Sequence, residues 1–243
     1  MDAAKLAKLR EKYSDEKPNT SGEPFDDRVP YAGVQTLLDM PHRLELTGIE
    51  IALIGVPFDQ GVYNRTGARL GPKAIRNVSM VGPVNHHNQI QPSALCKIAD
   101  VGDVPVQHRY HLDEGLGDIE RYFHKVMDAG ITPLTAGGDH SITYPILKAV
   151  GRDAPVGLVH VDAHCDTDGW MGNSKFYHGA PFRQAVLDGV LDPERTIQIG
   201  IRGPAEPVWQ FSYESGMTVI HIEDFVEMGA KEVIRKAREV VGD

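Results

Sequence analysis

The stretch that most constrains this chain is Leu158-Val159-His160-Val161-Asp162-Ala163-His164-Cys165-Asp166. Its apolar, β-branched first half, opened by Pro155-Val156-Gly157, reads as a short buried strand, and the polar groups arrive where that strand ends. If the backbone stays extended, the period of two sets Asp162, His164 and Asp166 on one side. Two carboxylates flanking an imidazole suit a metal. Hard oxygens with one nitrogen favour Mn²⁺ or a similar divalent ion, while ligand type alone leaves Zn²⁺, Co²⁺ and Ni²⁺ open. An isolated D-x-H is equally a turn after a strand. What adds weight is a second polar cluster, Gly137-Gly138-Asp139-His140-Ser141, at the end of another apolar run, Ile131 to Ala136, so that two strand ends converge.

The remaining periodicities place these runs in an alternating pattern. Strands are expected at 49–57, 96–101, 131–136, 156–161, 196–201 and 218–222, with helices near 73–78, 113–128, 142–150, 180–190, 205–214 and 225–241. In the helix at 113–128, Leu116, Ile119, Phe123 and Val126 recur at helical spacing and form a core stripe. Pro72 suits a first helical turn, and Ser141 is a plausible cap. Strands separated by helices imply βαβ crossovers, hence an α/β fold with a parallel sheet covered on both faces. Ligands gather at the carboxyl ends of such strands, where both polar clusters fall. Residues 1–48 read as an irregular N-terminal segment: a short amphipathic helix or mobile arm over the first residues, Pro18, Pro24, Pro30 and Pro41, and one short helix near Val34 to Leu38. The main domain is then 49–243.

Composition excludes several classes. At 243 residues one large domain with a buried core suffices, and a net charge of −9 offers no basic surface for nucleic acid. No apolar run approaches the roughly 20 residues needed to span a bilayer. The N-terminus lacks the pattern of a secretory signal, which leaves a cytoplasmic location as the default. Two cysteines, Cys96 and Cys165, suit a reducing compartment. Cys165 lies among the candidate ligands, but alternation turns its side chain away from them. His86, His87, His108 and His111 fall in loops and are expected to be solvated, and His160 is expected to be a hydrogen-bonded core group behind the ligands. P-loop, G-x-S-x-G and G-x-G-x-x-G patterns are absent.

Together, Gly137-Gly138-Asp139-His140-Ser141 and Asp162-Ala163-His164-Cys165-Asp166 resemble the ureohydrolases: arginase, agmatinase and related guanidino-acid amidinohydrolases. Ile54 to Asp59, Gly67-Ala68-Arg69-Leu70-Gly71-Pro72 and His178-Gly179-Ala180-Pro181-Phe182-Arg183 look more like the agmatinase branch than arginase proper. The resemblance implies a three-layer α/β/α sandwich with a mostly parallel sheet, an architecture shared with metal-dependent deacetylases. It also implies a binuclear Mn²⁺ centre that activates water for attack on a guanidinium carbon, releasing urea and a primary amine. On this basis His140 ligates one ion, His164 the other, Asp162 bridges, and Asp166 completes the first ion's shell. His178 matches the residue that shuttles a proton near the leaving group. Trp170, the loop from Asp168 to Tyr177, and Tyr63 to Arg69 border the pocket. A homo-oligomer of threefold type, trimer or hexamer, is implied as well.

The resemblance also breaks. The family's later S-F-D-x-D-x-x-D-P strand, whose first aspartates complete the metal pair, has no match here. Ile220 to Phe225 ends a strand acidically with different spacing. The expectation is a fragment or shortened form that lacks C-terminal strands and exposes an apolar sheet edge. An alternative function follows: a non-catalytic relative that assembles with a complete enzyme and modulates it. A deacetylase is a third reading, counted against by the Gly67 to Pro72 loop and His178-Gly179. Substrate choice stays open between agmatine and a guanidino acid, for whose carboxylate Arg65 and Asn64 are candidates.

Overall fold

The computed structural model describes residues 2–14, 32–79, 84–203 and 206–242. The proline-rich reading of Pro18, Pro24 and Pro30 lies outside them. The chain divides into two compact units, residues 1–34 and 35–243. In the first, helix α1 (Ala3–Tyr13) starts where the Asp2 carboxylate accepts the Ala4 amide at 3.1 Å, and it buries no residue.

The second unit opens on a 3-10 turn, Leu37–Asp39, whose Leu37 and Met40 pack against Leu53. Strand β1 (Ile51–Val56) is buried from Ala52 onward, as an apolar run with neighbours on both sides should be. It pairs in parallel with β2 (Ile98–Asp103) and β3 (Thr132–Gly137), Leu53 lying opposite both Asp100 and Leu134. Helices α2 (Gly71–Val78), α3 (Leu112–Asp128) and α4 (Thr143–Val150) follow in the crossovers. The stripe Leu116, Ile119, Phe123 and Val126 is fully inside, packed with Ala52, Ile54, Val56, Ala99 and Val101. Burying side chains of this size stabilises the fold by about 1.5–3 kcal/mol each.

A second parallel set follows: β4 (Val156–Val161), α5 (Pro181–Leu187), β5 (Leu191–Ile201), α6 (Glu206–Ser215), β6 (Thr218–His221) and α7 (Ile222–Val241). Strand β5 is central, pairing β4 through Val159–Ile197 and β6 through Ile197–Thr218. The fold is therefore α/β with parallel strands, as expected from alternation. Among the described residues the strands form two three-stranded sheets, β2-β1-β3 and β4-β5-β6. α7 is broken at Gly229, whose φ of +73° no helix contains.

One expectation needs correction. The sequence reads Val159 to Val161 as a buried run, yet Val159 is 47% and Val161 74% exposed, and Leu134 of β3 is 53% exposed. Among the described residues β3 and β4 each have a strand on one side only, so the cover that a parallel strand ordinarily receives is lacking there. His108 is largely solvated, as expected, and also lies 3.1 Å from the Asp118 carboxylate, which accepts the backbone amides of Gln107 and His108.

Candidate metal centre

The site grows from the carboxyl ends of β3 and β4. At the end of β3 the chain turns at Gly138, with φ of +74°. A Cβ there would lie 2.5 Å from the Val56 carbonyl oxygen and 2.7 Å from that of Phe58, so only glycine lets the turn sit against β1. The Asp139 amide then donates to the Phe58 carbonyl at 2.8 Å. Its carboxylate accepts the amides of Gly61 at 2.9 Å and Ser141 at 2.7 Å, capping the 3-10 turn His140–Ile142. The cap expected at Ser141 is thus Asp139. Its carboxylate is directed at backbone and ties the loop after β1 to the segment bearing His140. Burial pushes Asp139 up from the usual carboxylate range, against the opposing pull of these amides and His178.

At the end of β4, Asp162 is the hub. Its Oδ1 accepts the His164 amide at 2.9 Å and lies 3.4 Å from His164 Nδ1. Its Oδ2 lies 3.7 Å from His140 Nδ1 and 3.6 Å from His160 Nε2. His140 Nδ1 also makes a close hydrogen bond with Asp166 Oδ2. Each of the four residues thus lies beside another of them, His164 and His140 next to Asp162 and Asp166 next to His140. The way Asp166 gets there differs from the expected alternation: β4 stops at Val161, and Asp166 has a left-handed φ of +49° that folds its carboxylate back toward His140. His140 and His160 stand 5.5 Å apart, and both rings pack on Phe182.

His160 is closer to the chemistry than its sequence position suggests. His140, His160 and Asp162 each offer a ligand atom within 4.8 Å of the others. Gln198, the β5 residue in register with His160, settles the ring's orientation. Its Nε2 donates to the Cys165 carbonyl at 2.6 Å, which fixes which end of the amide is NH₂, and the same Nε2 faces His160 Nδ1 at 3.3 Å. Nδ1 is then the acceptor and the neutral ring carries its proton on Nε2, toward Asp162. At 3.6 Å this nitrogen is beyond hydrogen-bond reach and has no partner within the described residues.

The electrostatics match the geometry. His160 foremost holds Asp162 far below the usual carboxylate range, against the burial that opposes it, with the His164 amide and His140 adding to the effect. His140 is raised: burial works against its charged form, but Asp166, Asp162 and Asp139 outweigh it. A half-buried anionic well that draws a proton onto an imidazole is one that a divalent cation also fits, and imidazole nitrogens with carboxylate oxygens suit Mn²⁺ or Zn²⁺. Cys165 is no part of it. The thiol is buried and burial pushes it up to about 11, so it stays protonated near neutrality.

His178 joins through Gly61, whose carbonyl accepts the His178 amide at 3.0 Å while its own amide binds Asp139. The His178 Nε2 is buried with no hydrogen-bond partner among the described residues. Trp170 lies exposed on its loop, and Arg65 is exposed as well. Sequence reasoning missed the parts played by Asp139, Gln198 and Phe182. A polar Gln198 inside the apolar run of β5 was the one available signal.

Comparison with known proteins adds an independent line. Residues 49–243 match the arginase family. The guanidinopropionase of Pseudomonas aeruginosa is 44% identical over 232 residues, 92% of this chain and 72% of that one. The mitochondrial agmatinase of Gallus gallus is 42% identical over 215 residues, 87% of this chain and 63% of that one. The solved structure of proclavaminate amidino hydrolase from Streptomyces clavuligerus superposes with a TM-score of 0.84 at 31% identity, covering 89% of this chain and 73% of that one. This chain thus spans roughly two thirds of the curated relatives' length, and within that span the matched residues carry the β3 and β4 rims described above. The chain belongs to the arginase family.

Proposed function

We propose that the chain carries the machinery for metal-dependent hydrolysis of a small guanidino compound, agmatine or a guanidino acid, to urea and a primary amine. The observation that carries this reading is the convergence of His140, His164 and His160 on the two oxygens of Asp162, with Asp166 closing on His140. Guanidinopropionase and agmatinase among the relatives support the substrate class.

His140, Asp162, His164 and Asp166 are the proposed ligands, and two Mn²⁺ ions the proposed cofactor. A divalent cation there supplies a nucleophile at neutral pH by lowering the pKa of water to about 7. Guanidinium carbon is a poor electrophile because its charge is delocalised, so the remaining help must come from proton handling. Protonating the departing nitrogen is the role we assign to His178, whose Nε2 has a lone pair or proton uncommitted to any described residue. His160, held by Gln198, sets its Nε2 3.6 Å from Asp162, and its proximity helps keep that carboxylate ionised. The test is a urea-release panel over agmatine, arginine, guanidinopropionate and guanidinobutyrate with Mn²⁺. Turnover of at least one is expected, and a metal-loaded chain that releases urea from none contradicts the reading.

A second reading, a non-catalytic relative that assembles with a complete enzyme, is favoured by the uncovered apolar residues Leu134, Val159 and Val161 on strands that, among the described residues, have a neighbour on one side only. Mixing with a complete relative separates the two, since a modulator changes the partner's rate and makes no urea alone. A homo-oligomer of threefold type and a cytoplasmic location complete the proposal.

A further inference from the structure

We propose that Tyr63 is a positioning residue that fixes the orientation of the His178 imidazole; the inference rests on the role given to His178 above. Tyr63 is 67% exposed, yet its ring lies over the His178 ring, centroids 5.0 Å apart and planes 28° from parallel. Tyr177 closes the arrangement from the side. Its buried ring meets His178 edge-on at 5.6 Å and 89°, meets Tyr63 at 6.3 Å and 63°, and its hydroxyl donates to Asp168. The backbone of His178 is anchored to the Gly61 carbonyl.

What makes the stack matter is what the ring lacks. Among the described residues no hydrogen bond reaches either ring nitrogen of His178, and Nε2 is buried. A histidine whose ring no hydrogen bond holds has its side-chain torsion set by packing, here with the electrostatic pull of Asp139. Tyr177 meets the ring edge-on, and Tyr63 covers its face. Its loop is suited to this, because it is fastened at both ends. Asp139 binds the Gly61 amide, and the buried Asp59 carboxylate accepts the amides of Gly67 at 2.7 Å and Arg69 at 3.3 Å. Tyr63 therefore stands on a pinned span of chain that also supplies the acceptor for the His178 amide. An unpartnered, correctly aimed Nε2 is what a proton-transferring imidazole needs before substrate arrives.

The experiment combines two readouts on the full chain. The His178 Cε1–H and Cδ2–H NMR signals, assigned by their loss in His178→Asn, are expected upfield through the ring current of Tyr63. Tyr63→Phe should keep that displacement, and Tyr63→Leu should remove it while the His160 signals and the melting temperature stay in place. With Mn²⁺ and the best substrate of the panel, Tyr63→Leu should lower kcat about tenfold with KM nearly unchanged, and Tyr63→Phe should restore it. Unmoved His178 signals in Tyr63→Leu overturn the proposal, as does a moved signal with unchanged kcat. If the wild-type chain binds metal and releases no urea, the guanidino reading fails by itself; the NMR arm still decides whether Tyr63 stacks on His178.

Discussion

Both oxygens of Asp162 are engaged with imidazoles, which makes this one side chain the point at which the two strand ends are joined. Asp162→Ala should therefore abolish Mn²⁺ binding in titration calorimetry, whereas His160→Ala, acting through Asp162, should weaken it by about 10–100-fold. His178→Asn should leave metal affinity intact and lower urea release by about 10²–10⁴. Cys165, buried and with its thiol pushed up to about 11, should resist iodoacetamide at pH 8 while the partly exposed Cys96 is alkylated. That His140 and Asp162 lie together at two strand ends was legible because a polar group at the end of an apolar run is conspicuous. The tie from Gln198 through His160 to Asp162 was not, because it depends on the parallel register that sets His160 opposite Gln198.

At the scale of elements, α2 is bound to β2 by Arg76, whose guanidinium meets the buried Asp100 carboxylate at 2.8 and 3.0 Å. Asp100 also accepts the Leu37 amide at 2.7 Å and the Gly102 amide at 2.9 Å. Burial alone would raise Asp100, but Arg76 and these amides bring it below the ordinary carboxylate value. A folded value below the unfolded one, about 3.9, gives stability that is fully present above that pH and is lost as pH falls through the folded value. Denaturant midpoints should accordingly drop below about pH 4. Asp100→Asn should cost about 1–3 kcal/mol at neutral pH and flatten that acid dependence. Phe123→Ala, in the α3 stripe, should cost about 3–5 kcal/mol in the same measurement. The amphipathic α3 and the apolar β1 were readable from periodicity alone. The left-handed turn at Asp166 and the break of α7 at Gly229 were not, because each is a single-residue dihedral choice set by its surroundings.

For the molecule as a whole, alternation of strand and helix gave the parallel α/β class, because chain order determines crossovers. It did not give the partition into two three-stranded sheets, since chain order does not say which strands become neighbours. An exposed apolar sheet edge is expected from the unmatched later strand motif, and β3 and β4 carry one among the described residues. Concentration-dependent association in analytical ultracentrifugation is expected, and Val159→Lys with Val161→Lys should weaken it without lowering the melting temperature, as both residues are already exposed. The central claim is that the β3 and β4 rims hold a divalent cation around Asp162. Crystals grown with Mn²⁺ and measured at the manganese absorption edge test it most directly. The account predicts anomalous density bounded by His140, Asp162, His164 and Asp166; density confined to other carboxylates, with these four side chains still paired to one another, would contradict it.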